Sequence, residues 1–135
     1  MSKKYPTYTI ELYQGSSESL PIAFYLVDGE EKTPMVLSYD ADIVLTIRDE
    51  LGMDVLFTLS KKNGDIQLGT IVENEFVADT IGLSDDYAVR ISFPSSLTEE
   101  FTIPKMVYDL MLIHSEDEKE ILLHGVIKTH NRVME

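Results

Sequence analysis

MVYDLMLIHSEDEKEILLHGVI, residues 106–127, is the most informative segment of this sequence. Two apolar stretches of strand length are joined by a short polar segment that is mainly acidic. Such a pattern is typical of a β-hairpin, in which strands pair and the connecting residues meet water. The sequence therefore predicts two strands, over 105–114 and 120–130, with a turn about Asp117–Glu118.

Strand-like alternation also occurs earlier in the chain. In ADIVLTIRD (41–49) the odd-numbered residues from Ala41 to Ile47 are apolar, and most even-numbered residues are polar. In MDVLFTLS (53–60) the odd-numbered residues from Met53 to Leu59 are apolar as well. Because successive side chains of a strand point to opposite faces, both segments are predicted to bury their odd-numbered face. The ELG segment between them predicts a turn, so these strands form a second hairpin.

The remaining segments contain further strand and turn signals. Predicted strands are YTIELY (8–13), LPIAFYLV (20–27) and YAVRISFP (87–94), and residues 66–86 hold short strand fragments. Predicted turns are DGEE (28–31) and KKNGD (61–65), and KTPMVLSYD (32–40) is interpreted as an irregular crossing loop. Ser96 and Glu99 have capping-box spacing, which predicts one or two helical turns within 95–101.

Seven to nine short strands with regular turn signals favour an all-β fold, either a sandwich or a small barrel. The 135 residues, of which 44% are hydrophobic and 26% charged, suit one globular domain. We therefore expect a single domain over 1–135, with short terminal arms at about 1–6 and 129–135. No other helix is predicted.

Composition excludes several classes of function. The chain has no cysteine, which rules out disulfides, thiol nucleophiles and thiolate metal sites. The net charge of −13 disfavours nucleic acid and anionic membranes and favours basic protein partners. No apolar run has the length of a membrane span, and MSKKYPTYTI lacks the apolar core of a signal peptide.

The acidic residues of the 106–127 hairpin are the first candidates for chemistry. They are Glu116, Asp117, Glu118 and Glu120. Acid–base catalysis requires carboxylates whose pKa values are pushed apart, and a hairpin tip in water supplies no such asymmetry. A calcium loop needs alternate ligands and a sharp-turn glycine, and SEDEKE has neither. A solvated turn is the favoured interpretation over calcium binding or catalysis.

The histidines are the second candidates. Folding the hairpin brings His124 near Asp109 or Met111, depending on the register of the two strands. In the first register, Asp109 and His124 would form either a stabilising cross-strand pair or an acid–base dyad. A second hypothesis is a metal site formed by His114, His124 and His130. The alternative interpretation is that these histidines simply lie at the surface or at strand edges. NGDIQLG lacks the lysine of a phosphate loop, and no serine lies in a nucleophile elbow. No catalytic, cofactor or metal residues are assigned.

A series of short segments follows one order over roughly residues 8–130. They are Gln14-Gly15, LPIAFYLV, Asp28-Gly29, VLSY (36–39), a strand ending Ile47-Arg48-Asp49, NGDIQLG (63–69), Tyr108-Asp109-Leu110 with Leu112, and Leu122-Leu123 with Gly125. This order resembles a widespread family of small phage virion proteins, and is similar to the N-terminal immunoglobulin-like domain of phage baseplate upper proteins. Ser38 replaces the family glycine, Asp117-Glu118 replaces an Asp-Gly tip, and residues 69–87 match poorly.

The resemblance implies a single immunoglobulin-like antiparallel β-sandwich without enzymatic activity or cofactor. It implies a virion structural protein, an adaptor or capsid decoration module at the baseplate, tail-fibre base or head surface, assembled in the host cytoplasm. Its expected partners are other virion proteins and further copies of itself. The alternatives are a carbohydrate-binding β-sandwich, which the lack of tryptophan disfavours, and a small hydrolase that uses Asp109 and His124.

Overall fold

The computed structural model describes residues 7–23, 25–28, 31–34, 41–78 and 86–130 of the chain. These residues form eleven strands and one short helix, α1. The strands are β1 (Ile10–Tyr13), β2 (Glu18–Ala23), β3 (Tyr25–Asp28), β4 (Glu31–Pro34), β5 (Asp42–Arg48), β6 (Val55–Ser60), β7 (Ile66–Val72), β8 (Glu75–Ala78), β9 (Asp86–Phe93), β10 (Lys105–Ser115) and β11 (Glu118–His130). Helix α1 spans Ser95–Thr98 and precedes β10.

The strands form an immunoglobulin-like β-sandwich, which confirms the predicted fold class. One sheet has the order β1-β11-β10-β5-β6, the other has the order β2-β9-β7-β8, and β3 pairs with β4 in a separate hairpin. Lettered by the immunoglobulin convention, the first sheet holds strands C′, C, F and G, and the second holds B, E and D. The sequence left both a sandwich and a small barrel open, and the two facing sheets show that the fold is a sandwich.

The core lies between the two sheets and follows the predicted alternation. In β5 the side chains of Ile43, Leu45 and Ile47 are fully buried, while the even-numbered residues of the strand are half-buried on the outer face. Val89 and Ile91 of β9 enter the same core from the opposite sheet. Burial of these β-branched and leucine side chains, each worth about 1.5–3 kcal/mol, is the main stabilising contribution of the fold.

The first and last strands pair in parallel. Ile10 of β1 lies opposite Ile127 of β11, and Tyr13 lies opposite His130. Every other pairing between the described strands is antiparallel. The sandwich is therefore antiparallel, as predicted, except at this edge. Thr129 and His130 belong to β11, in agreement with the strand predicted over 120–130, and residues 131–135 lie outside the described range.

The inward face of β6 differs from the prediction because of a β-bulge. The register between β5 and β6 shifts after Ile47, so that Phe57 lies opposite Ile47 but Val55 lies opposite Arg48. One residue of β6, Leu56, is therefore extra, and the residues before it turn to the other face. Met53 and Val55 are 76% and 55% exposed, whereas Phe57 and Leu59 remain on the core side.

The segment LPIAFYLV is divided between two strands. Its first part belongs to β2, which pairs with β9, and its last part belongs to β3, which pairs with β4. Asp28 lies opposite Glu31, which confirms the hairpin predicted at DGEE, although its two turn residues lie outside the described range. Residues 32–34 are strand rather than crossing loop, and 35–40 lie outside the described range. These divisions raise the described strand number above the predicted seven to nine.

Two local signals were misread or missed. A hairpin joins β7 to β8 through Glu73 and Asn74, both of which have positive φ, as a two-residue type I′ turn requires. In α1 the N-cap is Pro94 and no side chain caps the helix, so the predicted Ser96 capping box is wrong.

Among the described residues, no helix has the length and apolar character to cross a membrane.

Candidate interaction surfaces

The outer face of the five-stranded sheet brings Asp109 and His124 together. The two residues are directly opposite each other in the β10–β11 ladder, and Thr46 of β5 lies opposite Asp109 on its other side. The Arg48 guanidinium, one pleat further along β5, donates to the Asp109 carboxylate over 2.8 Å. Of the two registers that the sequence left open, the structure has Asp109 opposite His124. Thr46, Asp109 and His124 therefore form a polar row across the sheet face, and Arg48 binds one oxygen of the Asp109 carboxylate.

The N-terminal segment crosses the sheet edge beside this polar row. The Tyr8 N–H donates to the His124 carbonyl over 3.1 Å, and the Tyr108 hydroxyl donates to the Tyr8 carbonyl over 2.6 Å. Burial, with a smaller contribution from Tyr8, raises the pKa of the Tyr108 phenol well above its usual value. Tyr108 therefore remains a hydrogen-bond donor throughout the neutral range. Gly125, opposite Tyr108, leaves space for Tyr8 to approach.

A surface cavity of about 650 Å³ opens at this crossing. Its walls come from the N-terminal segment and from β10 and β11. They are Thr7, Tyr8, Thr9, Val107, Tyr108, Asp109, Ile121, His124, Gly125 and Val126. The lining includes the hydroxyls of Thr7 and Thr9. Asp109 and His124 form a cross-strand pair on the wall of this cavity.

The three histidines lie far apart along the sheet. His124 is in the middle of β11, His114 is near the end of β10, and His130 is the last residue of β11. With about 3.3 Å per strand residue, His114 is about 16 Å from the level of His124, and His130 is about 20 Å away on the other side. His130 contacts the Glu11 carboxylate at 3.1 Å and the Tyr13 ring at 5.0 Å. The structure does not bring the trio together, and the described residues hold no group suited to a metal ion.

The acidic hairpin tip is a solvent-covered turn. Residues 114–120 are all exposed, and the turn itself is at Glu116–Asp117, one residue before the predicted position. Among the hydrogen bonds and ion pairs found in the described residues, none joins these carboxylates to one another. This arrangement agrees with the favoured interpretation of a solvated turn.

An exposed apolar cluster at the β5–β6 turn was not predicted. Leu51, Met53 and Val55 are 81%, 76% and 55% exposed, and this cluster contains half of the large exposed apolar side chains in the described residues. The turn is ordered by hydrogen bonds of Asp49, whose carboxylate accepts from the Met53 N–H over 3.0 Å. Large exposed apolar groups beside a sheet edge indicate a contact surface. The acidic residues interleaved with these apolar ones are the sequence signal from which an exposed cluster could have been predicted.

Four described strands lie at the edges of the two facing sheets. β1 and β6 end the five-stranded sheet, and β2 and β8 end the four-stranded sheet, without a further partner among the described strands. Free edges carry unpaired backbone groups and are protected in most proteins by charge, proline or cover. β1 contains Glu11, β2 contains Glu18 and Pro21, and β8 begins with Glu75. β6, with the sequence VLFTLS, has neither a charge nor a proline.

No protein-family model matches the sequence of this chain, and no curated protein sequence matches it either.

Proposed function

We propose that this chain is a non-enzymatic structural protein of a bacteriophage particle. It acts as an adaptor or decoration module at the baseplate, tail-fibre base or head surface. The observation that carries the proposal is the strand arrangement, with β1-β11-β10-β5-β6 facing β2-β9-β7-β8. This is an immunoglobulin-like sandwich, the fold that the order of segments from Gln14-Gly15 to Gly125 implied. Because one fold serves many functions, the virion assignment rests on the resemblance and not on the fold alone.

Protein–protein contact is the mode of action that the surface supports best. The cluster Leu51, Met53 and Val55 offers apolar area, and the free sheet edges offer backbone hydrogen bonds to another strand. The net charge of −13 favours basic protein surfaces and opposes nucleic acid and anionic lipid. We therefore propose other virion proteins and further copies of this chain as partners, in a particle assembled in the host cytoplasm.

The test is to compare particles made with and without this protein. Purified particles are analysed by mass spectrometry for the chain and by negative-stain imaging for a missing part. The expected result is the presence of the protein in intact particles, and loss of a defined appendage or surface feature when its gene is deleted. Complete, infectious particles that never contain the protein would refute the virion role.

Carbohydrate binding is the second candidate, because two tyrosines at the β1 edge are unusually exposed. Tyr8 is 49% and Tyr13 is 52% exposed, and a groove of about 370 Å³ between β1 and β2 begins at Tyr8. Exposed aromatic rings are suited to stacking on sugars. Binding on a glycan array that disappears in a Tyr8→Ala, Tyr13→Ala variant would favour this function over the structural one. A hydrolase activity abolished by His124→Ala would favour the third alternative.

A further inference from the structure

We propose that two copies of this chain associate through their β6 strands, which pair antiparallel across a two-fold axis at Thr58. The inference deepens the proposed function by naming the contact through which copies of the module meet. It rests on that function only for its biological context. The structural basis is the free edge of β6, which pairs with β5 on one side and with no described strand on the other.

The side chains of β6 match those of a second β6 in this arrangement. An antiparallel two-fold pair at Thr58 places the two exposed Thr58 side chains opposite each other on the outer face. Phe57 then lies opposite Leu59 of the second copy. Both residues are on the core side, since Phe57 packs on Phe101 at 4.9 Å and Leu59 is 6% exposed. The two sheets would therefore continue with their apolar faces on the same side.

Charges at the two ends of β6 are also complementary. Asp54 is four positions before Thr58, and Lys62 is four positions after it. Both residues lie just beyond the ends of β6 and are exposed in the single chain, and in the antiparallel pair the Asp54 end of each strand meets the Lys62 end of the other. An acidic chain thus associates with itself at a place where opposite charges meet.

The other free edges are less suited to self-pairing. The middle of β1 carries Glu11, so an antiparallel pair of β1 strands brings two carboxylates together. β2 contains Pro21, which lacks an N–H and interrupts a new ladder. β8 begins with Glu75, directly after the acidic turn at Glu73. Among the edges of the two facing sheets, only β6 combines an uncharged centre with ends of opposite charge.

The test is sedimentation equilibrium of the full chain and its charge variants. The wild-type protein is expected to dimerise reversibly, reaching twice its mass of 15.3 kDa. Asp54→Lys and Lys62→Asp should each raise the dimer Kd by about tenfold, because each change places like charges opposite one another in both halves of the interface. The double variant, which restores opposite charges at unchanged net charge, should return to a Kd near that of the wild type.

A matched control separates this effect from net charge. Glu116→Lys changes the net charge as Asp54→Lys does, but at the exposed hairpin tip on β10–β11. Because it only reduces repulsion between acidic chains, it should leave the dimer unchanged or tighten it slightly. A wild-type protein that is monomeric at every attainable concentration would overturn the proposal. A dimer that neither single variant weakens, or that the double variant fails to restore, would overturn it as well.

The outcome is independent of the virion role. A monomeric protein that is nevertheless incorporated in particles overturns only the β6 pairing. A dimer with the expected charge dependence that is absent from particles supports the pairing and refutes the virion function.

Discussion

Gly125 is the position where a single added methyl group should have the largest effect on how the chain ends are joined. A Cβ at this residue would overlap the Tyr8 carbonyl oxygen and lie 3.1 Å from its carbonyl carbon and 3.2 Å from its nitrogen. These are backbone atoms, which cannot rotate away as a flexible side chain does. We therefore expect that Gly125→Ala forces the N-terminal segment to leave the edge of β11.

The cost follows from the contacts that this movement removes. The Tyr8 N–H to His124 carbonyl bond and the Tyr108 hydroxyl to Tyr8 carbonyl bond would be lost, at about 0.5–1.5 kcal/mol each. The buried Tyr108 hydroxyl would also be left without its partner, a penalty of about 1–3 kcal/mol that partly overlaps the bond loss. Lower entropy of the unfolded alanine chain offsets about 0.4–1 kcal/mol. The expected net loss in the free energy of unfolding is about 2–3 kcal/mol.

A double-mutant cycle with Tyr108→Phe tests this reasoning. Guanidinium unfolding followed by far-ultraviolet circular dichroism gives the free energies. Tyr108→Phe alone should cost about 1 kcal/mol, but in the Gly125→Ala background, where its hydrogen bond has already been lost, it should cost nothing or return part of the penalty of the unpartnered hydroxyl. A Gly125→Ala protein as stable as the wild type would refute the steric argument. Equal costs of Tyr108→Phe in both backgrounds would show that Gly125 and Tyr108 do not act through Tyr8.

Three further predictions concern the core, a turn and pH. Leu45→Ala, in the fully buried centre of β5, should lower the free energy of unfolding by about 2–5 kcal/mol in the same assay. Glu73→Asn with Asn74→Gly should raise it by about 1 kcal/mol, since both residues have positive φ and these replacements suit a type I′ turn. The Tyr108 pKa is raised in the folded state, so its contribution is full below the unfolded value near 10 and falls above it, by about 1.4 kcal/mol per pH unit. The wild type should therefore lose its stability advantage over Tyr108→Phe between pH 10 and 11; a constant difference would contradict the burial argument.

Local patterns in the sequence were sufficient for the central strands. The alternation of Ala41, Ile43, Leu45 and Ile47 is a property of one segment, and the structure buries all four residues. The last hairpin was also predictable, because its strands are adjacent in sequence and the apolar stretches on both sides of the polar turn are long. Its register, with Asp109 opposite His124, needed the structure, since a one-residue shift of the turn changes every pair.

Features that depend on distant partners were missed. The parallel contact of β1 with β11 joins opposite ends of the sequence and leaves no signal in either segment alone. The bulge in β6 arises from its register with β5, so alternation within 53–60 misassigned Met53 and Val55 to the core. This error concealed the exposed cluster that now marks the candidate contact surface. The site was therefore less predictable than the fold, because it lies where the regular pattern breaks.

The pairing of β1 with β11 has a consequence for how the protein is made. Strand β1 leaves the ribosome before its neighbour in the five-stranded sheet and cannot pair with it until β11 has been synthesised. Until then, the apolar face of Ile10 and Leu12 lacks its final cover. Completion of this sheet must therefore wait for the synthesis of β11, and a chain interrupted before β11 would leave Ile10 and Leu12 without their final cover and prone to aggregation.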